Sequence, residues 1–90
     1  MEYYYRYGRI NDELGRDIQA LSFYQKAVET GKNERYYFAA NSALQTGKIY
    51  EKQRNVSKAR QAYNTILQMK NFEYESSIKN QAKAGLNRLK

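Results

Sequence analysis

The chain has no cysteine, histidine, proline or tryptophan, and only five glycines among its 90 residues. Without cysteine there is no disulfide, thiolate zinc site or thiol nucleophile. Without histidine the commonest general base and the commonest metal ligand are both missing. Without proline, and with so little glycine, the chain lacks helix breakers and turn punctuation, which favours long helices over a β-sandwich or barrel. No apolar run approaches the roughly 20 residues needed to cross a bilayer. The segment Met1-Glu2-Tyr3-Tyr4-Tyr5-Arg6 has neither an aliphatic signal core nor a small-residue cleavage site.

Ten tyrosines and three phenylalanines are present, too many aromatics for a disordered chain. A chain of this size buries only roughly 60–65% of its unfolded surface, so the predicted stability is modest. The formal charge is +7, and its last part is one-sided: Lys79, Lys83, Arg88 and Lys90 follow Glu75 with no acid among them. Such a tail can attract nucleic acid or an anionic surface, although four charges at this spacing also make an ordinary solvated helix face.

Apolar and small residues recur at helical spacing in five stretches and never alternate as a strand requires. Tyr4, Tyr7, Gly8 and Leu14 mark the first, about 2–14. Ala20, Tyr24, Ala27 and Val28 mark the second, about 17–30. Tyr36, Ala40, Ala43, Gly47 and Tyr50 mark the third, about 34–53, and Ala59, Ala62, Tyr63, Ile66 and Leu67 the fourth, about 57–69. Ile78, Ala82, Gly85, Leu86 and Leu89 mark the fifth, about 74–89. Gly15 and Gly31 are expected to close helices, and Asp17, Asn33 and Ser57 to open them. Asn55 is expected to take the left-handed turn beside Arg54, and Asn71 to end the fourth helix.

A shift of 39 places Gly8 on Gly47, Ala20 on Ala59, Tyr24 on Tyr63, Ala27 on Ile66 and Val28 on Leu67. Small residues at the first two positions let helix backbones approach, and a large aromatic fills the space between them. These positions resemble the tetratricopeptide-repeat (TPR) signature: Tyr4, Tyr7 and Gly8 followed by Ala20, Tyr24 and Ala27, with Phe23-Tyr24-Gln25-Lys26-Ala27-Val28 especially close. Gly47, Tyr50, Ala59 and Tyr63 repeat it. The run from Tyr36-Tyr37-Phe38-Ala39-Ala40 through Lys83-Ala84-Gly85-Leu86 is similar to the end of long bacterial TPR proteins, so the resemblance implies the carboxy-terminal part of a larger one.

The implied fold is all-α, an α-α superhelix, in which two helix-turn-helix repeats precede a carboxy-terminal capping helix. The implied domain is 1–90, with repeats at 2–31 and 34–71 and the cap at 73–89. The family repeat is about 34 residues, so the longer spacing implies a third helix extended at its front. Asn11, Ala43 and Arg54 depart from the family pattern, as do Lys32 and Asn71 where a closing proline is usual.

In that family the first helix of each pair lines a concave face that receives a peptide or partner protein. Carried over, the contacting residues are Tyr5, Arg9, Asp12, Glu13, Asn41, Leu44, Gln45, Lys48 and Lys52. The implied function is a non-catalytic protein-interaction scaffold. One alternative is a basic helical binder of nucleic acid or an anionic surface through the last helix, and another is a purely structural end cap. Tyr5, Arg9, Leu44 and Lys48 do not match the family's carboxylate clamp. The crowded Tyr3, Tyr4, Tyr5 and Tyr7 cannot all enter one core stripe, which points to self-association through the first helix.

Nothing in the sequence points to a cofactor or metal. Adjacent Asp12 and Glu13 project about 100° apart on a helix, and Glu73 and Glu75 suit a helix start. Neither pair forms a catalytic carboxylate couple.

Overall fold

The computed structural model describes residues 2–31, 36–70 and 72–90. They form five helices: α1 (Glu2–Glu13), α2 (Asp17–Gly31), α3 (Tyr36–Lys52), α4 (Val56–Leu67) and α5 (Glu75–Arg88). Each helix packs on the next, and in addition α1 meets α3 and α3 meets α5. No such contact joins α2 to α4 among the described residues. The molecule is 17 Å deep against 32 by 30 Å, the thickness of two helix layers. One layer holds α1, α3 and α5; the other holds α2 and α4. This is an all-α helical repeat of the TPR type.

The repeat is held by a contact that composition alone does not suggest. Tyr24 and Tyr63 are fully buried, each with its ring against a glycine of the preceding helix. A Cβ on Gly8 would sit 2.6 Å from Tyr24 Cδ1, and one on Gly47 would sit 2.5 Å from Tyr63 Cε1. A third such Cβ, on Gly85, would meet the opposite edge of Tyr63 at 2.5 Å. The Tyr63 ring is therefore clasped between α3 and α5, which makes α5 the positional equivalent of α1 and α3. Ala20, Ala27, Ala59 and Ala82 are wholly buried around these rings, as are the short side chains of Ala39 and Ala40.

The turns repeat as closely as the core. Gly15 has φ +76° and Arg54, 39 residues on, has φ +61°. Gly15 N–H donates to Asp12 O at 3.0 Å and Arg16 N–H to Asn11 O at 2.8 Å. Arg54 N–H donates to Glu51 O and Asn55 N–H to Tyr50 O at the same two distances. Both are Schellman closures, which need a left-handed residue after the helix.

Several local expectations are corrected. Arg54, not Asn55, occupies the left-handed position. Asn55 caps α4, its side chain accepting from Lys58 N at 3.3 Å, so Ser57 lies inside the helix. Asp17 stands in the first turn of α2, but its carboxylate accepts from Lys52 Nζ at 3.2 Å and Gln53 Nε2 at 3.4 Å, tying α2 to the end of α3. Tyr7 and Leu14 do not face the core; they are 49% and 61% exposed, because only one side of α1 has neighbours. The capping roles read for Asn33 and Asn71, and the position of Lys32, lie outside the described residues.

α3 is 17 residues long, and its first turn carries Tyr37 and Phe38.

Candidate partner-binding face

The layer of α1, α3 and α5 carries a set of polar side-chain contacts between its helices. Its two parallel helices α1 and α3 are joined at a constant offset. Asn41 Nδ2 donates to Tyr5 Oη at 2.7 Å, and one turn later Arg9 Nη1 donates to Gln45 Oε1 at 3.2 Å. Gln45 Nε2 in turn donates to Asn41 Oδ1 at 3.3 Å. Arg9 also lies 3.5 Å from Glu13 and 3.9 Å from Asp12. Asp12 accepts the Tyr24 hydroxyl at 3.0 Å, so the chain of polar contacts runs from the surface to the buried ring. Burial raises the Tyr5 hydroxyl pKa above its ordinary value, and burial followed by Asp12 raises that of Tyr24 further.

Six sequence-predicted residues, Arg9, Asp12, Glu13, Gln45, Lys48 and Lys52, line one open depression of about 240 Å³ above buried Ile49. Tyr5 and Asn41 lie a turn away on the same layer. Leu44 does not belong to this surface. It is 2% exposed and packs in the core with Ala40, Ala43 and Ile66, since its position on α3 turns toward α4 and α5 and away from α1.

Sequence reasoning missed two further groupings. Glu51 accepts three bonds: from Tyr63 Oη at 2.7 Å, from Arg88 Nε at 2.6 Å and from Arg88 Nη2 at 3.0 Å. The Arg88 guanidinium holds the Glu51 carboxyl below its ordinary range, and burial followed by Glu51 pushes Tyr63 up to about 12. The 39-residue shift carries Asp12 onto Glu51 as well as Tyr24 onto Tyr63, a signal the sequence held. The second grouping is aromatic. Ring centroids step 5.6 Å from Tyr5 to Phe38, 5.0 Å to Tyr37 and 5.7 Å to Tyr74. Beside the last pair is a depression of about 290 Å³ that also meets Asn41, Ser77 and Gln81.

Of the basic residues in the last helix, Lys79 is paired to Glu75 at 2.8 Å and Arg88 to Glu51. No group of three or more acidic side chains among the described residues could hold a metal ion. No described helix is long and apolar enough to cross a membrane.

Residues 2–30, which contain the first Gly–Tyr clasp, match the family model for the tetratricopeptide repeat. The first helical pair is thus similar to a TPR unit. No curated protein and no solved structure gives a significant match. TPR units mediate contacts between proteins and typically act as non-catalytic scaffolds. The second helical pair lies beyond the matched segment, yet it repeats the clasp, the turn and the tyrosine–carboxylate bond of the first.

Proposed function

We propose that the chain is a protein-interaction scaffold whose α1–α3–α5 layer receives a peptide or a partner protein. The observation that carries this reading is the gathering of Arg9, Asp12, Glu13, Gln45, Lys48 and Lys52 around one depression. Their cross-helix bonds hold the surface in shape before anything binds, which lowers the ordering cost of association. The mixed charge of the depression suits a partner with both acidic and basic groups at its contact. The test is a photo-crosslinking residue at Lys48, used in lysate of the source cell with and without nuclease. One discrete crosslinked protein, resistant to nuclease and lost in the Arg9→Glu/Lys48→Glu double variant, is the expected result. Crosslinks that vanish with nuclease would transfer the function to the basic last helix, where the pairing of Lys79 and Arg88 argues against it.

A second contact is favoured by the outer side of α1. Tyr3, Tyr7, Ile10 and Leu14 are 49–61% exposed at i, i+4, i+7 and i+11, the spacing of a coiled-coil seam. The position 39 residues after Ile10 is Ile49, which is buried against α2. Arg6 and Glu13 flank the seam seven positions apart. An antiparallel two-fold pairing of two α1 helices brings Arg6 of one copy toward Glu13 of the other. This seam is our proposed route of self-association.

A further inference from the structure

The aromatic row on the same layer asks for its own explanation. Tyr74 has φ +59°, a conformation that costs a non-glycine residue on the order of 1 kcal/mol. It stands at the N-cap of α5 but makes no side-chain cap bond. Glycine or asparagine would serve a left-handed cap with less strain. What tyrosine adds there is a ring, 69% exposed, held 5.7 Å from Tyr37 and tilted 57° to it. Tyr5 and Phe38 form a second tilted pair at 5.6 Å and 46°, and Phe38 and Tyr37 join the two. Tyr37 and Phe38 stand in the first turn of α3.

The surroundings define what such rings can hold. The depression beside Tyr37 and Tyr74 is lined by Asn41, Ser77, Ile78 and Gln81 and by no charged side chain. The nearby cation Lys79 is engaged by Glu75. An acidic ligand therefore finds no counter-charge, and a helical one has already spent its carbonyls on its own hydrogen bonds. A polyproline II segment has the complementary properties: compact pyrrolidine rings that pack on exposed aromatic faces, and carbonyls with no internal partner that accept from hydroxyl and amide groups. About nine residues of it span roughly 28 Å, close to the 30 Å width of the molecule.

We infer that the Tyr5–Phe38 and Tyr37–Tyr74 ring pairs, with the Asn41 and Gln81 amides, form a binding site for an extended, uncharged, proline-rich peptide. This assignment rests on the scaffold reading above and names the ligand class its layer takes.

The test is calorimetric titration of the full chain with an oligoproline peptide of about nine residues, against a glycine–serine peptide of equal length. Binding of oligoproline alone is expected. Tyr74→Ala should weaken it about tenfold or more, with the circular dichroism spectrum and Tm unchanged because the ring is mostly exposed, and Tyr74→Phe should retain most of it. Gln81→Ala, on an exposed position, should weaken it without touching the rings. The Lys48→Glu variant should bind oligoproline normally, since Lys48 lines the other depression and not this one. Failure of oligoproline to bind, binding indifferent to both Tyr74→Ala and Gln81→Ala, or preference for a neutral oligosaccharide such as cellohexaose would each overturn the assignment. If oligoproline fails while crosslinking at Lys48 still traps one protein, this assignment falls and the scaffold reading stands.

Discussion

The Tyr63 hydroxyl donates to Glu51 Oε1 at 2.7 Å, and the same bond joins Tyr24 to Asp12 at 3.0 Å one unit earlier. Each pair spans the 12 residues from the end of a first helix to the middle of its partner, so it locks the angle of the hairpin. In the second unit Arg88 adds a fork of two bonds to the same carboxylate, drawing α5 onto the end of α3.

This arrangement sets the pH dependence of stability. Arg88, above all, lowers the folded-state pKa of Glu51 from an ordinary 4.5. The contribution is therefore present above that ordinary value and is lost as pH falls through the depressed one. Tyr63 is shifted the other way, from 10.0 to about 12 by burial and by Glu51. Its contribution is complete below pH 10 and is lost as pH rises toward about 12. Urea denaturation across pH should show Glu51→Gln flattening the acid limb and Tyr63→Phe reducing the alkaline one.

Gly47→Ala should destabilise the chain. Alanine gains about 1 kcal/mol over glycine in a helix, but the new Cβ would sit 2.5–2.8 Å from three atoms of a fully buried ring. Tyr63 cannot yield, because Gly85 backs its other edge. Overpacking of this kind costs up to about 3 kcal/mol, so the net loss should be roughly 1–2 kcal/mol. Chemical denaturation measures it directly; a gain in stability would mean that the ring has room to move.

Arg54→Gly should act in the opposite sense. Arg54 holds the left-handed position that glycine fills at residue 15, and its side chain is exposed. Relief of the left-handed penalty, offset by the greater chain entropy of glycine, should raise stability by up to about 1 kcal/mol. Gly15→Ala at the equivalent turn should lower it. Thermal melts of the two variants test the pair together.

Ile10→Glu should abolish self-association without loss of stability, since Ile10 is 53% exposed and lies outside both core clusters. Light scattering over a concentration series should show the parent chain gaining mass and the variant remaining monomeric. A monomeric parent at high concentration would dismiss the seam on α1.

Most of the architecture was legible in the residues themselves. Helical spacing of small and aromatic side chains marked all five helices, because periodicity is a local property that survives without knowledge of neighbours. The 39-residue shift likewise paired Gly8 with Gly47 and Tyr24 with Tyr63 before any contact was known. It also set Arg54 at the turn position of Gly15, although which residue of the Arg54–Asn55 pair would turn left-handed depended on the closing hydrogen bonds.

What required the tertiary structure was the sidedness of each helix. Leu44 and Lys48 are one turn apart on α3, yet one is core and the other surface, because α4 and α5 cover only part of that helix. Tyr5 and Tyr7 divide in the same way on α1. The aromatic row and the Glu51–Arg88 fork join residues up to 37 positions apart, and no local pattern encodes such a distance. Sequence spacing determined that these helices form and pair, whereas the angle at which they pack decided which side chains meet.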